Sequence, residues 1–114
     1  MLDKKLQLKD NQSIAIIGEA VEILLEARRT TPNEANAVLA FVRNQQQLQK
    51  HLRELKTAAR DDKLTWVAYP KAGQLDTDIN RDSIRDFANA NGLDPVRQIA
   101  INDIWSALRL KTLQ

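Results

Sequence analysis

The chain has 114 residues, 43% hydrophobic and 28% charged, with 17 basic and 15 acidic side chains and a net charge of +2. That length suits one domain with a modest core, and the composition excludes a disordered tail, a collagen-like array and a disulfide scaffold. With no cysteine, thiol catalysis, thiolate metal sites and redox switching are excluded. No apolar run reaches the roughly 20 residues of a membrane span, and the first residues lack the apolar core of a signal peptide, so no secretory leader is expected. The expectation is a cytoplasmic protein, one domain over 1–114. The charge balance and 4% aromatic content give no general pull toward nucleic acid or membrane.

Leu2, Leu6 and Leu8 lie at helix-like spacing and predict a short turn docked on the body. Residues 13–17 (SIAII) form an apolar run ending at Gly18, the pattern of a buried strand. Over residues 19–28, Ala20, Val21, Leu24 and Ala27 fall on one helical face, so the spacing predicts a first helix, ended by Pro32. A second strand spans residues 36–42. Asn44 with Gln47 reads as an N-cap and capping box, opening a helix with Leu48, Leu52, Leu55 and Ala59 on one stripe.

Residues 64–69 predict the third strand. The following loop over 70–80 exceeds the usual 2–6 residues between a strand and its helix. Ile84, Phe87 and Ala88 mark a third helix, stopped at Gly92. A strand from Pro95 to Ile101, a turn at Asn102 and Asp103, and a returning strand from Trp105 predict an antiparallel hairpin. The pattern β-α-β-α-β-α-β-β predicts an α/β, Rossmann-like fold with a five-stranded, mostly parallel sheet. Two strand orders remain open, 1-2-3-5-4 and 2-1-3-5-4. In the first, right-handed crossovers put every helix on one face, and the N-terminal leucines or a second subunit must cover the other.

Motifs for catalysis are sparse. Glycines occur only at 18, 73 and 92, so neither a dinucleotide fingerprint nor a P-loop exists. The single histidine, His51, cannot form a two-histidine metal site, and no metal or cofactor is expected. No serine shows a nucleophile elbow. The positive signal is positional, because parallel sheets take ligands beyond the carboxyl ends of their strands. This chain delivers Gly18 and Glu19, Arg43 and Asn44, then Tyr69, Lys71, Asp78, Arg81 and Asp82, and finally Trp105 to that edge. The expected site comprises Tyr69, Lys71, Asp78, Arg81, Asp82 and Trp105.

Three stretches carry a family resemblance: LTWVAYPK at 64–71, DxxRD beginning at Asp78, and PVRQIAINDIWSALR at 95–109. They resemble a small bacterial α/β family of unknown function with the motifs WVAYPK, DxxRD and PVxxVAIDxxWSALR. Asp10-Asn11 departs from the Pro-Gly usual there. The resemblance implies a shortened methyltransferase-like sheet in the order 1-2-3-5-4, without the strands that would hold an adenosine.

The leading expectation is therefore a non-catalytic or regulatory domain binding a small anionic ligand. Lys71 and Arg81 would supply charge-assisted bonds, the third helix its N-terminal backbone donors, and Trp105 an apolar wall. The alternatives are an interaction or homodimerising module using an exposed sheet face, and a degenerate methyltransferase-like enzyme or an acid–base one using Asp78 or Asp82 with Lys71 or Tyr69.

Overall fold

The computed structural model describes residues 2–113. Its elements run α1 (Leu2–Lys5), β1 (Ser13–Gly18), β2 (Arg28–Arg29), β3 (Ala37–Phe41), α2 (Gln45–Lys50), α3 (Leu52–Arg60), β4 (Leu64–Pro70), α4 (Arg81–Ala90), β5 (Leu93–Ala100) and β6 (Trp105–Thr112). One six-stranded sheet has the order β2-β1-β3-β4-β6-β5. β1, β2, β3 and β4 pair in parallel, while β6 is antiparallel to both β4 and β5. Leaving β2 aside, this is the 1-2-3-5-4 arrangement.

Two expectations need correction. The sheet has six strands rather than five, because Arg28 and Arg29 add an edge beside Ser13 and Ile14. The predicted helix over 19–28 does not form. Residues 19–27 run as irregular extended chain, with Val21, Ile23, Leu25 and Ala27 half-buried and Glu22, Leu24 and Glu26 exposed. That is a period of two, not 3.6. Leu24, assigned to the buried face of a helix, is 90% exposed.

Alternation along the inner strands sends side chains to two cores. On one face Ala40, Val42, Val67, Tyr69, Leu108 and Leu110 meet Leu48 and Leu55 from α2 and α3 and Ile84 and Ala88 from α4. All three longer helices therefore share this face, as right-handed crossovers require for the order observed. Asn44 caps α2 by accepting from Gln47 N–H, whose own side chain reaches back to Arg43 N–H. The stripe expected from Leu48 to Ala59 is present, but His51 divides it into α2 and α3.

On the other face Leu39, Phe41, Trp66, Ala68 and Trp105 form the second core. Among the described residues the only helix packed against it is the four-residue α1, through Leu2. Leu6, fully buried, plugs its centre, and residues 21–27 pack alongside. Polar ties hold this cover down. Trp66 Nε1 donates to the Leu6 carbonyl at 3.1 Å, and Arg109 donates to the Gln7 side chain at 2.7 Å. The Asp3 carboxylate accepts from Glu26 and Ala27 N–H, fastening α1 to the extended segment. The chain's own N-terminal leucines thus cover the face for which a second subunit was the other candidate.

Candidate functional site

β1, β3 and β4 end on the same edge, so their last residues and following loops form its rim. Gly18 leaves β1 with φ +87°, and a Cβ there would stand 2.2 Å from the Phe41 carbonyl oxygen. Glycine is required at this close approach. The turn aims Glu19 at Arg43, which follows β3. Arg43 Nε donates to both Glu19 oxygens at 2.9 and 3.0 Å, and Nη2 joins them. Bonding to Arg43 holds the Glu19 carboxyl below the usual range, against a smaller opposing effect of burial.

The loop after β4 folds onto this rim. Thr77 donates to the Arg43 carbonyl at 2.7 Å, and Asp78 accepts from Gln45 N–H at 2.8 Å. Asp78 thus neutralises the start of α2. At α4, Asn80 and Ser83 cap each other reciprocally at 2.9 Å. The backbone donors once expected to meet an anion at the third helix include Ser83 N–H, and the Asn80 side chain already occupies it.

Three of the expected residues gather at the outer part of the rim. The Tyr69 hydroxyl accepts from Gln98 Nε2 at 3.2 Å, and Gln98 Oε1 accepts from Arg81 Nη1 at 3.2 Å. Asp82 lies 3.8 Å from Arg81 Nε and 3.5 Å from Arg85. Burial pushes the Tyr69 phenol above its ordinary value, opposed by the nearby Arg81 charge and by hydrogen bonding from Ser106 and Gln98. A phenol held neutral serves as a hydrogen-bonding group, not as a base.

The others are placed apart. Lys71 ties its backbone N–H to the Ile104 carbonyl at 2.7 Å, and its ammonium makes no ion pair among the described residues. Asp78 belongs to α2, as described. Trp105 lies on the opposite sheet face from Tyr69, packed edge-to-face on Phe41 with centroids 5.1 Å apart. Sequence reasoning missed Gln98. Its position on β5 opposite Leu108 emerges only from the register of the hairpin. It also left the Glu19–Arg43 pair unassembled, although both residues were placed at the right edge.

No group of three His, Cys, Asp or Glu side chains able to hold a metal forms among the described residues. No helix among them is long and apolar enough to cross a membrane.

Fold and rim together define a mixed α/β domain with a mostly parallel sheet, closed by an antiparallel hairpin, and a polar carboxyl edge. The chain belongs to the family described as "Protein of unknown function (DUF3052)", which matches residues 5–114. A comparison with curated proteins finds no match.

Proposed function

We propose that the protein is a non-catalytic binding domain that takes a small anionic ligand at the carboxyl edge of its sheet. The observation that carries this reading is the chain Tyr69–Gln98–Arg81, which links an inner strand to an exposed guanidinium in two 3.2 Å steps. Gln98 fixes one of Arg81's five donors and leaves others for a carboxylate or phosphate. Lys71, the residue just after Tyr69's own strand, would supply a second cation at this edge. Helix termini contribute little here, since Asn44, Asp78 and Asn80 take their donors. Burial keeps the proton on the Tyr69 phenol, which suits its hydrogen-bonding place in this chain.

Thermal melting against phosphate, sulfate, nucleotides, S-adenosylmethionine and simple carboxylates tests the reading. A ligand at a hundred times its Kd adds about 2.7 kcal/mol. At this chain length that is a rise of roughly 10 °C. The rise is expected for wild type and absent in Arg81→Ala and Lys71→Ala, whose ligand-free melting stays close to wild type. No shift with any compound refutes it.

One observation favours a second reading, a self-associating module. Leu24 stands 90% exposed beside a cleft lined by Leu2, Ile23 and Ile101. Light scattering across a concentration series decides it: mass that rises with concentration in wild type and not in Leu24→Ser supports association, and a monomer throughout removes it.

A further inference from the structure

Arg53, Lys56 and Arg60 stand three and four residues apart on α3, so at 3.6 residues per turn they fall within about 60° of one another on one face. Lys50, the last residue of α2, joins them along a groove of about 430 Å³ that Gln49, Leu52 and Thr57 complete. All four cations are exposed, and none forms an ion pair among the described residues. Arg60 spends one nitrogen on the Thr57 hydroxyl, at 3.5 Å. No carboxylate among the described residues lines the groove. Glu54, on the same helix, bonds the His51 ring instead, and with Asp61 it lines a separate cleft that shares Arg53 and Thr57.

A solvated helix looks different in this chain. On α4, Arg81 and Arg85 alternate with Asp82 and Asp86 and lie 3.5 to 3.8 Å from their carboxylates. On α3 the like charges at three- and four-residue spacing repel instead. The helix dipole suits Lys50 and Arg60, each in a last turn, but opposes Arg53 in a first turn. Neither capping nor pairing accounts for the row, whereas a polyanion laid along it does. The net charge of +2 conceals this concentration, since no acidic residue shares the groove.

The rest of the lining narrows the partner. Single strands are held by stacking, and no aromatic side chain among the described residues lines the groove. A protein partner or a membrane surface needs apolar anchors, and the one here, Leu52, is half-buried against the helix-side core. A duplex needs neither, because it turns its bases inward and presents charge in a row. Arg53 to Arg60 cover about 10 Å along α3. Over that distance one duplex strand, at about 3.4 Å per phosphate, presents about three or four of them. We propose that this groove docks on the phosphate backbone of duplex nucleic acid, with Lys50, Arg53, Lys56 and Arg60 as its phosphate contacts and no reading of sequence. The site is separate from Tyr69, Gln98 and Arg81, and neither proposal depends on the other.

Fluorescence anisotropy of a labelled duplex of about 20 base pairs, from about 25 to 200 mM salt, tests it. Wild type is expected to bind with a log–log salt slope of about −3.6, four contacts at about 0.9 each, and alike for two duplexes of unrelated sequence. Arg53→Gln and Lys56→Gln are each expected to reduce the slope by about 0.9, and the double variant by about 1.8. Both side chains are exposed, so the urea midpoint stays near wild type. Arg81→Ala leaves duplex binding unchanged. The proposal is overturned by no saturable binding up to about 1 mM protein at the lowest salt, or by a slope indifferent to the double variant. It is overturned equally if a polyglutamate peptide or phosphatidylserine vesicles compete as well as unlabelled duplex at equal charge, which would assign the groove to an acidic protein or a membrane.

Discussion

Replacing Leu6 by alanine probes the cover of the second sheet face at its centre. Leu6 is fully buried among Ile14, Leu39, Phe41 and Trp66, and its carbonyl receives the Trp66 indole N–H at 3.1 Å. The substitution keeps that backbone acceptor and removes only packing, so its cost is the transfer of the lost carbons plus the hole they leave. Leucine-to-alanine changes at fully buried sites cost about 2.7–5 kcal/mol. Small domains are stable by only about 5–15 kcal/mol, so this is a large fraction of the total. At this chain length the melting temperature falls by roughly 10–20 °C. Urea unfolding with tryptophan fluorescence is the direct assay, since both tryptophans, Trp66 and Trp105, lie in the affected core. The midpoint should drop with the slope unchanged. Leu24→Ala, on the same cover but 90% exposed, is expected to change stability by about 0.5 kcal/mol or less. A Leu6→Ala loss below about 1 kcal/mol would refute the account of how this face is closed. A Leu24→Ala loss above about 2 kcal/mol would instead restore the helix expected over 19–28.

Gly18→Ala is expected to destabilise by about 2 kcal/mol or more, because its Cβ meets the Phe41 carbonyl oxygen at 2.2 Å in a left-handed turn; chemical denaturation measures it, and a neutral result refutes the close approach. Glu19 is held below its ordinary pKa, so its contribution is fully present above about pH 4.3, the unfolded value, and is lost as pH falls through the folded one. Glu19→Gln should therefore flatten the acid limb of the stability profile, and an unchanged limb counts against the Arg43 pairing. Tyr69 is the sole tyrosine, so ultraviolet absorbance titration reads it alone. Its midpoint should lie above about 10 in the native protein and return to about 10 in urea. The raised value means that its stabilising effect is lost as pH climbs from the unfolded pKa through the folded one.

The legible parts of the sequence were those where one period dominates. Apolar runs at 13–17, 37–41 and 64–69 are strands because strands buried on both faces need no polar alternation. The segment 19–28 misled because its residues satisfy two periods at once. Glu22 and Glu26 lie on one side of a helix and equally on one side of an extended chain, and Val21 and Ala27 fit both readings. Ala20, Leu24 and Leu25 distinguish them, and the structure turns Leu25 inward and leaves Ala20 and Leu24 exposed. The need to cover the second sheet face overrode the helix propensity of Leu, Glu and Ala. At the rim, the edge itself was legible from strand polarity, and Asn80 was recognisable as a cap. What the sequence did not reveal was which side chains meet. Trp105 sits one register step from Tyr69's neighbour Ser106, and that single step sends it to the opposite face. Gln98 reaches Tyr69 across β6, a relation that no local spacing encodes.

The ties made by residues 2–8 also constrain the order in which this chain assembles. Leu6 meets Trp66 across 60 positions, Lys5 meets Ala100 across 95, and Gln7 meets Arg109 across 102. Closing such long loops costs entropy before any contact repays it, which places these steps late and slows folding. During synthesis, the surface that Leu2, Leu6 and Leu8 cover in the folded domain is not complete until the strands holding Trp66 and Trp105 have followed. The interval leaves an apolar segment waiting in water, open to whatever binds nascent chains. The docking of this segment, which seals the tryptophans of the second core from solvent, is then expected late in folding.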